Sequence, residues 1–239
     1  MDNTMALAAV MGIAPALALM YFIFRDFTYP RIQEPFFEDP KLFGLFAAGL
    51  VIGVVLFSAY TWFYPWNSLV VAVAFALLQE LVKMVILNLR RFQRKLDTAF
   101  YGSALGLGMG STLGFGMVFY LLAVIGIQEM SWTDWTVLGM LSLHNVFLQS
   151  STGLTIGEGV VRGYTWEFLS QAVLVNVAFQ GLMTLFYMGF LPWFVSMPVA
   201  LLFVVAYFVY MHRIRLPRLV RQAIKEYNLS QKEYLTKRK

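Results

Sequence analysis

Long apolar runs recur along this chain, each near the length that crosses a bilayer, and very few folds tolerate that. Seven can be marked: Met5–Phe24, Leu42–Phe63, Ser68–Leu89, Thr98–Ile127, Thr136–Gly157, Glu167–Phe190 and Trp193–Met211. A hydrocarbon core of about 30 Å is crossed by about 20 helical residues. The runs are continuous rather than alternating, which predicts helices and argues against a membrane barrel. The expected fold class is therefore all-α, a polytopic membrane protein of about seven transmembrane helices. Composition agrees, with 59% apolar and 13% charged residues and a mean hydropathy of +0.68. Soluble domains run nearer 45–50% and about 25%. The first run follows an acidic start, Asp2, and lacks a basic leader region, so it reads as a spanning helix and not a cleaved signal.

The basic residues orient these spans. Arg25, Arg31 and Lys41 follow the first span, Arg90, Arg91, Arg94 and Lys95 the third, and Arg162 the fifth. The tail carries Arg213, Arg215, Arg218, Arg221, Lys225, Lys232, Lys237, Arg238 and Lys239. All but one of the 18 Lys and Arg residues thus fall on one side, which the positive-inside rule makes cytoplasmic. The expectation is an N-terminus outside, a C-terminus inside and a location in the cell membrane. The net charge of +5 is then a topology signal that attracts anionic lipid, and no nucleic-acid partner is expected. Trp62, Trp66, Trp132, Trp135 and Trp193 mark outer span ends and Trp166 an inner one, as interfacial anchors do. The chain divides into a seven-helix transmembrane domain, residues 1–211, and a basic amphipathic cytoplasmic tail, residues 212–239. In the tail, Leu216, Leu219, Val220, Ile224 and Tyr227 recur at helical spacing, predicting a helix over Ile214–Tyr234 that lies on the inner leaflet.

The eighteenth basic residue, Lys83, stands in the middle of the third span, three positions after Glu80 and four after Gln79. Helical spacing puts all three on one face, where Glu80 and Lys83 can pair. An ion at a helix centre costs about 2.5–3.5 kcal/mol on insertion scales, so the pair predicts a site facing the bundle interior. Its plainer role is a buried pair that sets helix register. Glu80 is the one acid expected in the central membrane. In the fifth span His144 is followed by Asn145, Gln149, Ser150, Ser151 and Thr152, and the sixth carries Asn176 and Gln180. Counting about 1.5 Å per residue from the outer ends puts Glu80, His144, Asn176 and Gln180 at depths of about 18, 12, 16 and 11 Å. One shared polar cavity is the expectation.

Gly102, Gly106, Gly110 and Gly114 recur every fourth residue along the fourth span. A stripe without side chains lets another backbone approach closely. Gly106, Gly108 and Gly110 also spell a dinucleotide-loop pattern, but inside an apolar run no βαβ unit can hold it. The length of this run predicts a tilted or locally broken helix. There are no cysteines and two histidines, His144 and His212, so no metal site and no cofactor are expected. No serine in a span has a histidine base at helical distance.

Several of these motifs resemble the PrsW-type intramembrane proteases. The opening Ile13-Ala14-Pro15-Ala16 with Tyr21, Arg25-Asp26 and Glu34-Pro35 is similar to that family's proline-bearing first helix and its polar loop. Gln79-Glu80-x-x-Lys83 resembles its Glu-Glu-x-x-Lys motif, and Tyr101-Gly102 with Gly106-Leu107-Gly108 its glycine-rich helix. His144 falls where the family has a histidine in a later span. The resemblance implies intramembrane peptide hydrolysis, with Glu80 as base toward water and His144 as carbonyl or oxyanion donor. Gln79, Lys83, Asn145, Asn176 and Gln180 would line the cavity around them. The chain departs from the family at Gln79, at Leu113-Gly114 in place of a Glu-Asn pair, and near Asn176 in place of a second histidine. Similar departures occur in the anterior-pharynx-defective subunit of gamma-secretase, a non-catalytic scaffold of the same broad superfamily. Two functions follow as expectations: a weakened or variant protease acting on a transmembrane-helix substrate, or a scaffold whose glycine ladder packs against a partner protein's helix. A third is a proton- or solute-conducting protein using Glu80, Lys83 and His144.

Overall fold

A computed structural model describes residues 3–28, 36–62 and 68–237, with side chains described as far as residue 226. Trp66, Arg31 and the Glu34-Pro35 pair fall outside the described residues. The described chain is helical throughout. Helix α1 spans Asn3–Phe24, α2 Asp39–Trp62, α3 Leu69–Leu87, α4 Asp97–Ile125, α5 Trp132–Arg162, α6 Thr165–Tyr187, α7 Trp193–Val209 and α8 Leu216–Lys237.

Six helical stretches are long and apolar enough to cross a membrane: Asn3–Phe27, Asp39–Trp62, Leu69–Leu87, Asp97–Ile125, Thr165–Tyr187 and Trp193–Glu226. Large apolar side chains project from them, Val51, Val70, Leu174 and Leu202 among the most exposed. Such a surface suits lipid and not water. Helix α5 is not among the six, although it is 31 residues long. Its apolar face is interrupted by Ser142, His144, Asn145, Gln149, Ser150, Ser151, Thr152, Thr155 and Glu158, every one of them buried. No residue between 134 and 161 is exposed. The other helices sheath α5, so its polar side chains answer to protein partners instead of lipid.

Helix α4 forms the second central element, and residues 98–114 are all buried. It packs on α5, α2 and α1, while α5 also meets α6, α7 and α3. Backbone contact explains the glycines. A Cβ on Gly102 or Gly106 would overlap the backbone of Gly153 or Gln149, and one on Gly110 would stand 2.5 Å from the carbonyl oxygen of Asn145. Only glycine permits that approach. The ladder therefore faces α5 inside the protein, which corrects the expectation that it packs against a partner's helix. Gly108 and Gly49 make the same kind of crossing between α4 and α2. Helix α4 is also unbroken over its 29 residues, so only tilt is left to accommodate its length.

Pro15 lies within α1. It has no N–H to give the carbonyl of Met11 one turn earlier. Ser142 of α5 donates its hydroxyl to that carbonyl instead, so a helix-breaking residue becomes a helix–helix contact. At the other end of the chain α7 continues into α8 through a π-helical turn, Tyr210–Arg215. Pro217 cannot donate to the Arg213 carbonyl, which favours the wider turn there. The amphipathic tail is continuous with α7, and Leu216, Leu219 and Val220 at its start are buried in the main apolar core.

Both ends of α5 are set locally. Ser131 and Asp134 form a capping box at its start, and the bonds to the Ser131 hydroxyl and backbone N–H hold the Asp134 carboxyl below its usual pKa. At its end Gly163 adopts φ +79°, and Tyr164 N–H returns to Gly159 O at 2.9 Å.

Candidate functional site

Gln79, Glu80 and Lys83 share the face of α3 that turns toward α5 and α6, where they meet Gln149, Thr152 and Asn176. Lys83 Nζ donates to Glu80 Oε1 at 2.8 Å, to Gln149 Oε1 at 2.8 Å and to Thr152 Oγ1 at 2.5 Å. These three acceptors match the three protons of an ammonium. Asn176 Nδ2 donates to Glu80 Oε1 at 2.7 Å and to Gln79 Oε1 at 3.0 Å, and Gln149 Nε2 reaches Gln79 Oε1 at 2.7 Å. The amide orientations are mutually enforced. Gln149 must turn its oxygen to the ammonium, and Asn176 its nitrogen to the carboxylate, which leaves the Gln79 oxygen to accept from both amides.

Glu80, Lys83, Gln149, Thr152 and Asn176 are each 0% exposed. Both oxygens of Glu80 lie 2.8 Å from Lys83 Nζ, but only Oε1 has hydrogen-bonding geometry. Among the described residues neither Glu80 Oε2 nor Asn176 Oδ1 has a hydrogen bond. The cluster is neutral as a whole, and it ties three helices together in the region that the sequence count assigned to one depth.

The structure brings together Gln79, Glu80, Lys83 and Asn176. It does not bring His144 among them. The His144 ring packs edge-on against Phe179 with centroids 5.5 Å apart, and Nε2 lies 3.1 Å from the carbonyl oxygen of Met197. A carbonyl only accepts, so Nε2 carries the proton. Nδ1 has no hydrogen bond among the described residues. His144 thus ties α5 to α7, beside Pro198. Asn145 turns to its own helix and to α4, donating to Leu141 O at 2.9 Å and to Met117 Sδ at 3.5 Å. Gln180 is half-buried and makes no hydrogen bond to the cluster. A similar count along separate helices did not put these side chains on the face that carries the cluster.

The structure also gives partners to residues that the sequence reading left without a role. Gln149 and Thr152 complete the Lys83 shell. His212 donates from Nδ1 to Phe208 O at 3.1 Å, which leaves Nε2 as the acceptor facing a serine pair: Ser103 Oγ lies 2.9 Å and Ser150 Oγ 3.3 Å from it, and the two hydroxyls are 2.9 Å apart. That serine–histidine contact spans 109 positions, beyond any helical spacing. Thr155 and Tyr207 hydroxyls lie 2.6 Å apart. Glu158 is a second buried acid, 1% exposed, clamped by Arg162 at 2.8 Å and by Arg215 at 3.0 Å. One signal for this set was available: Gln149, Thr152, Thr155 and Glu158 recur at every third residue of α5.

Comparison of the chain with protein-family models, with characterised proteins and with solved structures finds no match in any of the three.

Proposed function

We propose that this chain is a seven-helix membrane protein, N-terminus outside and C-terminus inside, that acts as a non-catalytic scaffold related to the PrsW-type proteases. One observation carries the functional part. Lys83 donates to three acceptors and Glu80 Oε1 is held by both Lys83 and Asn176, so the two ions of the motif that the resemblance assigns to water activation are engaged with each other and with neighbouring helices. A general base needs its proton donor within hydrogen-bond reach. Here the neighbours of the carboxylate are an ammonium and an amide, and the histidine that the resemblance offers as carbonyl donor is bonded to Met197. The arrangement supports a lock that holds α3, α5 and α6 in register, while the apolar surface meets lipid and a partner's membrane segment.

The test is a cleavage assay with membrane-spanning peptides in liposomes, comparing wild type with Glu80→Gln. No Glu80-dependent cleavage is expected, and turnover that disappears in Glu80→Gln would overturn the scaffold reading. For topology, a reporter fused after Lys239 should be cytoplasmic and a tag at Trp132–Trp135 external. An external C-terminus would remove the seven-span arrangement.

The conducting alternative gains support from one feature, the polar stripe of α5 that runs from Gln149 and Thr152 at Lys83 to Thr155 at Tyr207 and Glu158 at Arg215. Proton flux into liposomes that is lost in Thr155→Val would favour it. Flux equal to empty liposomes would exclude it.

A further inference from the structure

Beside the turn that joins α3 to α4, a cleft of about 320 Å³ opens against α2. Three cations line it: Lys41, Arg91 and Lys95. Lys41 is engaged by Glu38 at 2.5 Å. Arg91 and Lys95 have no ion-pair partner among the described residues. The Arg91 guanidinium rests over the ring of Phe92, 4.6 Å from its centroid, and Phe92 is itself buried. Asp97 is the carboxylate in the lining; its Oδ1 is buried without a hydrogen bond among the described residues, and the charges of Lys95 and Lys41 act on it, while the Tyr101 oxygen accepts from the Glu38 N–H at 3.1 Å. The cleft therefore keeps a positive excess, three cations against the carboxylates of Asp97 and Glu38, and neither Arg91 nor Lys95 is held in an ion pair among the described residues.

Its other wall is apolar and smooth. Gly44 and Ala48 stand one turn apart on α2. Gly49 and Gly53, further along the same helix, are pressed against α4, whereas a Cβ added at Gly44 would find nothing within 4 Å. Close helix packing thus explains Gly49 and Gly53 and leaves Gly44 unexplained. What remains is an apolar strip of α2 beside the cations.

We propose that this cleft binds one anionic phospholipid of the leaflet on the basic side, with the phosphate between Arg91 and Lys95 and the first methylenes of an acyl chain lying along Gly44 and Ala48. Guanidinium and ammonium groups fit phosphate oxygens by charge-assisted hydrogen bonds, and basic pockets between membrane helices accept anionic headgroups. The apolar strip favours a lipid over a soluble phosphate, because a free anion has nothing to place there. The inference rests on the reading of the chain as a membrane protein and not on the Glu80 cluster, so its failure would leave the scaffold proposal intact.

The experiment is native mass spectrometry of the full chain released from mixed phosphatidylglycerol and phosphatidylcholine vesicles, with inorganic phosphate as competitor. Wild type should retain phosphatidylglycerol in preference to phosphatidylcholine. Replacing Arg91 and Lys95 together with Gln should weaken that retention roughly thirtyfold, at about fivefold per basic residue near an anionic surface. Gly44→Leu keeps every charge and meets open space, so it should leave lipid-free thermal stability unchanged and still weaken phosphatidylglycerol retention. It decides the question where the double variant fails to fold. Equal retention of the two lipids, unchanged retention in Gly44→Leu, or complete displacement by millimolar phosphate would each overturn the proposal, the last by making this a site for a soluble anion.

Discussion

Changing Glu80 to Gln alters one charge and almost no volume in a cluster where each of the three Lys83 protons has its acceptor. The amide keeps an oxygen for Asn176, now 2.7 Å from Glu80 Oε1, but it no longer neutralises Lys83. The ammonium would remain with Gln149 and Thr152 as neutral acceptors in a site that is 0% exposed. Removing one partner of a buried pair costs roughly 3–5 kcal/mol, because the other charge is stranded. For a chain of this size, at about 2–4 °C per kcal/mol, that lowers Tm by roughly 6–20 °C. Lys83→Met should cost a similar amount, since the stranded carboxylate keeps only the Asn176 amide. The double variant Glu80→Gln with Lys83→Met has no charge to strand, so it should recover most of the loss, because a buried pair replaced as a whole is often close to neutral. A four-member cycle of thermal unfolding in one detergent measures this directly. Additive losses, with the double variant as unstable as the two single ones combined, would refute the pairing. A wild-type Tm in Glu80→Gln would refute burial of the charge as well.

The glycine crossing predicts that Gly106→Leu costs at least the roughly 1–3 kcal/mol of overpacking, while Gly181→Leu, where nothing lies within 4 Å, leaves thermal stability near wild type. Ser142→Ala should cost about 1–3 kcal/mol by orphaning the Met11 carbonyl, and much less in a Pro15→Ala background, where the helix can bond that carbonyl itself; equal costs in both backgrounds would sever Ser142 from the proline. At the start of α5, Ser131 holds the Asp134 carboxyl below its usual pKa. The capping contribution is therefore fully present above the ordinary carboxylate range and is lost as pH falls through the depressed value; acid titration of thermal stability in wild type and Ser131→Ala should show the difference between them shrinking on that side only.

Much of this protein was decided by the sequence alone. Runs of about 20 apolar residues must be helices, because only a helix satisfies its own backbone in lipid, and the structure shows six helices apolar and long enough to cross a membrane. The pairing of Glu80 with Lys83 was equally legible, since three residues of separation on one helix suffice to bring them together. Helix α5 is where sequence and structure part. By composition it is too polar to join the six, yet it is the helix the others surround. Hydropathy measures what a helix could show to lipid, and α5 shows almost nothing. His144, Asn145 and Gln180 point to other neighbours than the cluster, because counting depth along separate helices supplies no azimuth. Gln149, Thr152, Ser103 and His212 met one another or Lys83, and Glu158 met Arg215, only when α3, α4, α5 and the turn after α7 were packed, because contacts across 47 to 109 positions depend on how helices rotate against one another. The glycine ladder announced a close crossing, but the identity of the helix on its other side was a tertiary decision. Backbone was admitted where side chains were missing, and in this fold that backbone belongs to α5.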